Sequence, residues 1–268
     1  MTDRYAVIGN PINHSKSPLI HKMFAAQTGQ DISYDAIAAP LDGFAATVQR
    51  LRDEGYKGCN VTVPFKFEAF ELASEKQPRA VTASAANTLV FAHETVTADN
   101  TDGAGLVRDI EQNLNVSLRG KRVLLMGAGG AAYGVTLPLL ITACELSVVN
   151  RTVAKAQQLA ANFAPYGHLK AYAYEDLTSL QFDVVINATS SGLSDKLAPL
   201  PASIFAKHAL AYDMMYGRET PFMQFAKQHG AQVSDGLGML VEQAAAAFEI
   251  WRGVRPDTAP IIATLRAL

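Results

Sequence analysis

Between the apolar run Arg122-Val-Leu-Leu-Met126 and a second one ending at Val149, the chain reads Gly127-Ala128-Gly129-Gly130-Ala131-Ala132. Strand, glycine-rich turn, helix and strand in that order begin a parallel α/β sheet built to hold a dinucleotide. Glycines let the turn bend sharply and let a pyrophosphate approach the backbone. The helix behind them presents free N–H groups and a positive dipole end. The end of the second strand then selects the cofactor. An NAD site places Asp or Glu there, about 20 residues past the glycines, against the ribose hydroxyl. Here Asn150, Arg151 and Thr152 occupy that position, with Lys155 one helical turn on. Cations suit an additional phosphate, so the pattern implies NADP.

The chain of 268 residues has room for one large domain or two of ordinary size. Hydrophobic residues at 49% and charged residues at 18% exclude a disordered or fibrous chain. A formal net charge of −2 without a basic run argues against a nucleic-acid partner. Cys59 and Cys144 share no metal or redox spacing and read as thiols in a reducing compartment. The N-terminus reads as a first strand rather than a signal peptide, and the apolar stretch 135–149 is too short to span a bilayer. The cytoplasm is the expected location, with no membrane partner.

Strand and helix also alternate before the glycine turn. Strands are expected at 5–8, 32–37 and 59–63, a hairpin at 88–91 and 95–98, and helices at 18–28, 41–52, 65–73 and 102–113. Beyond the turn, a helix is expected at 152–164 with Thr152 as its N-cap, and buried strands at 183–187 and 209–213. From Gly236 on, Leu240, Ala244, Ala247, Phe248 and Trp251 form one strongly apolar helix face, and a last helix follows from 258. These two helices are expected to return to the first domain. That assigns 1–103 and 237–268 to one domain and 104–236 to the other, with a cleft between.

Polar groups at strand ends suit a hydroxylated ligand. They occur in three places: Asn60-Val-Thr-Val-Pro-Phe-Lys66, Asn87-Thr88 and Asp99-Asn-Thr-Asp102. Lys66 suits a proton donor to a carbonyl, and Asp102 a partner for the lysine or for a hydroxyl. Taken alone, each also reads as an ordinary surface lysine and an N-capping aspartate. Ser15 and Ser17 precede a helix, where an acidic ligand is favoured, yet Ser17 before Pro18 also reads as a simple N-cap. Gln243 and Tyr216 stay open between structural and ligand-facing roles. Ser190-Ser191-Gly192 reads as a strand-end loop lining the cofactor. The six histidines show no paired metal spacing, so no metal is expected, and neither a nucleophile elbow nor a Walker lysine occurs.

Together these stretches resemble the shikimate dehydrogenase family nearly end to end. The matching runs are GNPINHSKSPLIH (9–21), NVTVPFK (60–66), ANTL (86–89), DNTDG (99–103), GAGGAA (127–132), NRT (150–152), NATSSGL (187–193), DMMY (213–216) and DGLGMLVEQAA (235–245). The resemblance implies an α/β chain of two domains. The N-terminal substrate domain has a mixed sheet, the nucleotide domain is Rossmann-type, and the C-terminal helices return to the first. It implies reversible NADPH-dependent reduction of 3-dehydroshikimate to shikimate. Ser15 and Ser17, helped by Tyr216, would bind the ring carboxylate, while Thr62, Asn87, Asp102 and Gln243 would hold hydroxyls. Lys66 would be the acid–base residue, with Asp102 beside it. Gly127, Ala128, Gly129, Gly130 and Ala131 would cradle the pyrophosphate. Asn150, Arg151, Thr152 and Lys155 would surround the adenosine phosphate, and Met214 and Gly236 would lie near the nicotinamide.

Three positions depart from the family's pattern. Asn13 stands where a small residue is common, Ala98 where glycine often precedes the DNTD run, and Tyr133 where Arg is frequent. An NAD-using quinate or shikimate dehydrogenase should carry an acid in place of Arg151. A non-catalytic NADP sensor has no need of Lys66 with Asp102, and a folate-interconverting dehydrogenase no need of paired serines. Monomer and homodimer both fit the sequence.

Overall fold

In the computed structural model, which describes residues 2–189 and 197–268, the chain divides into two compact units. One comprises Met1–Leu106 with Leu240–Leu268, the other Val107–Met239. The divisions fall inside two helices, where the sequence reading placed them at 103/104 and 236/237. The expected loop at Ser190-Ser191-Gly192 lies outside the described residues.

The first unit begins β1 (Asp3–Gly9), α1 (Ser17–Thr28), β2 (Ile32–Ala38), α2 (Phe44–Asp53), β3 (Gly58–Val61) and α3 (Lys66–Leu72). It continues β4 (Glu75–Lys76), α4 (Pro78–Ala83), β5 (Thr88–Ala92), β6 (Thr95–Asp99) and α5 (Asp102–Arg108). The sheet has the order β2-β1-β3-β5-β6-β4. It is mixed: β1 runs parallel to β2 and β3, whereas β5 is antiparallel to β3 and β6. Ile8, Phe44, Leu51, Phe65 and Leu89 fill the core against one face. The expected helix 41–52 starts only at Phe44, because 41–43 form a turn in which the Gly43 N–H bonds the Pro40 carbonyl at 3.0 Å. The expected helix 102–113 widens into a π-turn at Asp109–Asn113.

The second unit contains β7 (Arg122–Met126), α6 (Gly130–Ile141), β8 (Glu145–Val149), α7 (Val153–Phe163), β9 (Leu169–Tyr172) and β10 (Phe182–Asn187). Then come β11 (Phe205–Asp213), α8 (Pro221–Gln228) and β12 (Gln232–Ser234). The order β12-β11-β10-β7-β8-β9 is all parallel and reverses at β7, the doubly wound arrangement whose switch point receives a nucleotide. Such strands are covered on both faces, which explains the unbroken apolar runs in β7 and β10. Thr152 is the N-cap residue of α7, as the sequence suggests, but its side chain makes no capping hydrogen bond.

The last helices, α9 (Leu237–Arg252) and α10 (Ala259–Ala267), supply residues 240–268 of the first unit. Trp251 stacks on Tyr5 with ring centres 4.6 Å apart and donates its indole N–H to the Leu89 carbonyl at 3.2 Å. Buried Glu242 accepts from Thr258 at 2.6 Å and from Arg255 at 3.0 Å, which ties α10 to α9. No helix among the described residues is long and apolar enough to cross a membrane.

His21 sits fully buried in an aromatic box in this unit. Its ring stacks on Tyr34 at 4.1 Å, with Trp251 at 5.5 Å and the edge of Phe24 at 5.8 Å. Neither ring nitrogen makes a well-formed hydrogen bond, although Asn60 stands close enough to favour the charged form slightly. Burial pushes the imidazole down from 6.5 to about 3. Between those values the unfolded chain binds the extra proton and the folded chain does not, so stability falls as pH falls. The slope approaches ~1.4 kcal/mol per pH unit. Between pH 6.5 and 4.5, denaturation of wild type is therefore expected to lose about 2 kcal/mol more than that of His21→Phe. Parallel stability curves for the two proteins would show that His21 is not the source.

Candidate active site

Lys66 opens α3 directly behind the turn that leaves β3, and the Thr62 carbonyl closes that turn by accepting the Phe65 N–H at 3.0 Å. Asp102 opens α5 directly behind β6. The hairpin β5–β6 brings the two helix starts together, and Lys66 Nζ forms an ion pair with Asp102 Oδ2. Their side chains are only 13% and 6% exposed. The capping role open to Asp102 belongs instead to Asn100, whose Oδ1 accepts the Asp102 N–H at 3.1 Å. The aspartate carboxylate is left to face the lysine.

Asn87 holds the other carboxylate oxygen. Its Nδ2 donates to Asp102 Oδ1 at 2.8 Å, to Thr101 Oγ1 at 2.9 Å and to Gln243 Oε1 at 3.1 Å. Its Oδ1 accepts the Thr101 N–H at 2.8 Å and the Thr88 hydroxyl at 2.9 Å. Gln243 is fixed in turn by donating to the Leu240 carbonyl at 2.8 Å. Four of the expected residues, Lys66, Asp102, Asn87 and Gln243, thus share one hydrogen-bonded cluster. Asp99 supports its loop from behind, accepting Arg79 at 2.9 and 2.6 Å and the Asn100 N–H at 2.7 Å.

Ser15 Oγ accepts the Ser17 N–H at 3.2 Å, and Lys16, not Ser17, occupies the N-cap of α1. The buried Ser17 side chain therefore does not cap the helix; it approaches the Tyr34 hydroxyl. Asn60 and Thr88 belong to the polar runs named in the sequence but were given no role of their own; both are buried and contact Asn87. Their signal was a polar side chain inside an otherwise apolar strand.

In the second unit the glycine turn meets the requirements of a pyrophosphate. Gly127 has φ of +111°, donates its N–H to Val149 at 2.8 Å, and has the Ala188 carbonyl oxygen 3.1 Å from where a Cβ would stand. At Gly129, the N-cap of α6, a Cβ would meet nothing within 4 Å, which leaves open room over the helix start. Gly130 and Ala131 lie in the first turn of α6, whose N–H groups lack intrahelical acceptors. Ala128 lies in the turn itself. Beyond β8, Asn150 Nδ2 donates to the Thr152 carbonyl at 2.9 Å and shapes a turn on which Arg151 and Lys155 stand exposed. Neither cation makes an ion pair among the described residues. These residues fit an NADP phosphate. Tyr133 is turned toward α7, accepting from Asn162 at 3.0 Å and facing Phe163.

Met214 and Tyr216 follow β11 in this unit. Buried Asp213 anchors their loop, accepting the Met215 N–H at 2.9 Å, the Thr220 hydroxyl at 2.5 Å and Asn187 Nδ2 at 3.1 Å. Burial raises its carboxyl above the ordinary range. Gly236 packs against the same loop: its N–H donates to the Met215 carbonyl at 2.9 Å. Among the described residues no group of His, Cys, Asp or Glu is arranged to hold a metal ion.

Three family models match: the shikimate dehydrogenase substrate binding domain over residues 7–89, shikimate/quinate 5-dehydrogenase over 108–194, and the shikimate 5'-dehydrogenase C-terminal domain over 236–266. A shikimate dehydrogenase (NADP(+)) of Methylobacillus flagellatus is 61% identical over 268 residues, covering 99% of each chain. One from Nitrosospira multiformis is 58% identical over 270 residues, covering 100% of this chain and 98% of its own. The crystal structure of shikimate 5-dehydrogenase from Thermus thermophilus in complex with NADP(H) and shikimate is 33% identical, with a TM-score of 0.88 over the whole of both chains.

A Cβ at Gly236 would stand 2.2 Å from the Met214 carbonyl oxygen and 2.6 Å from its carbon, backbone atoms that cannot swing away. Gly236→Ala is therefore expected to cost about 1–3 kcal/mol. That corresponds to a Tm lower by about 2–10 °C in a thermal melt. An unchanged melt would show that the Met214 loop yields.

Proposed function

The chain belongs to the shikimate dehydrogenase family, and from that premise we propose that it interconverts shikimate and 3-dehydroshikimate with NADP as cofactor. The observation that carries the reading is the buried Lys66–Asp102 pair, held by Asn87 and Gln243 on the unit that matches the substrate-binding model. Gly127, Ala128, Gly129, Gly130 and Ala131 would hold the pyrophosphate. Asn150, Arg151, Thr152 and Lys155 would hold the adenosine phosphate, with Met214 and Gly236 near the nicotinamide. When bound, the nicotinamide supplies the hydride in reduction and takes it in oxidation.

The protein's own part is orientation and proton transfer. Ser15 and Ser17, with Tyr216, bind the ring carboxylate, and Thr62, Asn87 and Gln243 hold ring hydroxyls. In reduction Lys66 Nζ gives a proton to the ketone oxygen; in oxidation it takes the hydroxyl proton back. Asp102 orients Nζ through Oδ2 and keeps its other oxygen on Asn87. An NAD-selecting site would place an acid where the exposed Arg151 stands, which disfavours NAD as the preferred cofactor.

Shikimate oxidation, and separately quinate oxidation, followed by reduced-nicotinamide absorbance with NADP and then NAD, tests the reading. A chain that does not oxidise shikimate with NADP would refute it. Arg151→Ala is expected to raise KM for NADP about 10- to 150-fold, the worth of one charge-assisted hydrogen bond. KM for NAD should hardly change; equal losses with both would show that Arg151 does not read the extra phosphate. Lys66→Ala is expected to lower kcat by about 10²–10⁴-fold, as for loss of a general acid–base group, with a much smaller change in KM for shikimate. Normal turnover in that variant, or loss of affinity alone, would make Lys66 a binding residue and require another proton path.

A further inference from the structure

Four side chains connect β2 with the reactive pair in one direction. The Tyr34 hydroxyl donates to Asn60 Oδ1 at 2.7 Å. Asn60 Nδ2 donates to Thr88 Oγ1 at 3.1 Å, and Thr88 donates to Asn87 Oδ1 at 2.9 Å. Asn87 Nδ2 then reaches Asp102 Oδ1 at 2.8 Å.

The sense of every link is forced by groups that can act in only one way. Asn60 Nδ2 also meets the Asn87 carbonyl at 3.1 Å, which only accepts, so its Oδ1 must face Tyr34. Asn87 Oδ1 meets the Thr101 N–H at 2.8 Å, which only donates, so its amino group must face the carboxylate. Between them Thr88 accepts on one side and donates on the other. Hydrogen bonds aligned in one sense polarise each other, and the last donor of this chain rests on the carboxylate that orients Lys66.

Tyr34 is well suited to begin such a chain. Its ring is clamped against His21 at 4.1 Å with an interplanar angle of 5°. Burial holds its hydroxyl protonated, so it remains a donor. The register pins the middle of the chain, since Asn60 on β3 is the direct partner of Thr88 on β5.

We propose that Tyr34 is a positioning residue for the Lys66–Asp102 pair, acting through Asn60, Thr88 and Asn87. This role rests on the function proposed above.

Tyr34→Phe keeps the ring and its stack on His21 and removes the first donor, together with the hydroxyl that Ser17 approaches. For shikimate oxidation, kcat is expected to fall about 3- to 10-fold, the effect of one neutral hydrogen bond, while KM for shikimate stays within about 2-fold. Thr88→Val breaks the same chain at a later link. Combining it with Tyr34→Phe is expected to cost little more than the larger single loss, because each change interrupts one coupled unit. In 15N-labelled protein without substrate, the Asn87 side-chain amide resonance is expected to shift in Tyr34→Phe. An unmoved resonance, losses that multiply, or a rise in KM matching the fall in kcat would each overturn the role of Tyr34. The resonance requires no turnover. A wild type that oxidises no shikimate refutes the proposed function, whereas an active wild type with an unmoved resonance refutes only this inference.

Discussion

An ammonium group and a carboxylate placed together inside a protein give up most of their hydration, and their attraction offsets that loss only where the remaining lone pairs are satisfied. Lys66 and Asp102 meet this condition because Asn87 occupies the second carboxylate oxygen. Much of the first unit can be understood as the means of holding that amide still. Asn87 immediately precedes β5, between β3 on one side and β6 on the other, so its neighbours are set by strand register. Thr88 pairs with Asn60 and with Asp99, and the Asn87 N–H itself bonds the Asp99 carbonyl at 3.1 Å. A slip of one residue in β5 would turn Asn87 away and leave the carboxylate half satisfied.

Register also explains why the candidate site was only partly legible in the sequence. Lys66 and Asp102 are far apart in the chain, and each alone suits a solvated helix start. Only the antiparallel return of β5 and β6 brings those starts together. The physical reading named Asp102 as a partner for Lys66 but left both open to ordinary surface roles, and the resemblance to the family decided between them. Asn60 and Thr88 were named within the polar runs but given no role, for a different reason. A lone polar residue in a short apolar strand looks like noise to a periodicity argument, although burial obliges it to find partners.

The fold was most legible where strands are covered on both faces. The apolar runs of β7, β8 and β10 announced a parallel sheet, and the glycine turn fixed where it begins. The edges were not legible. Neither β4, with two residues, nor β12, with three, is long enough to establish an alternation, and both owe their extended shape to a longer neighbour. A local signal for α8 was present in Thr220-Pro221: Thr220 caps the helix by accepting the Met223 N–H at 3.3 Å, and proline fits its first turn.

Both units bury an aspartate against an asparagine amide, and they differ in the third group each aspartate meets. Asn87 donates to Asp102 at 2.8 Å and Asn187 to Asp213 at 3.1 Å. In the first unit the aspartate's remaining partner is the Lys66 ammonium group. In the second, its partners are the Thr220 hydroxyl and the Met215 N–H, and desolvation dominates, which raises the carboxyl. A carboxylate bound this way fixes a backbone turn. The turn it fixes carries Met214 and Tyr216. Burial and an amide partner are common to both aspartates. The identity of the third group, a cation in one and a backbone N–H in the other, is what distinguishes the two.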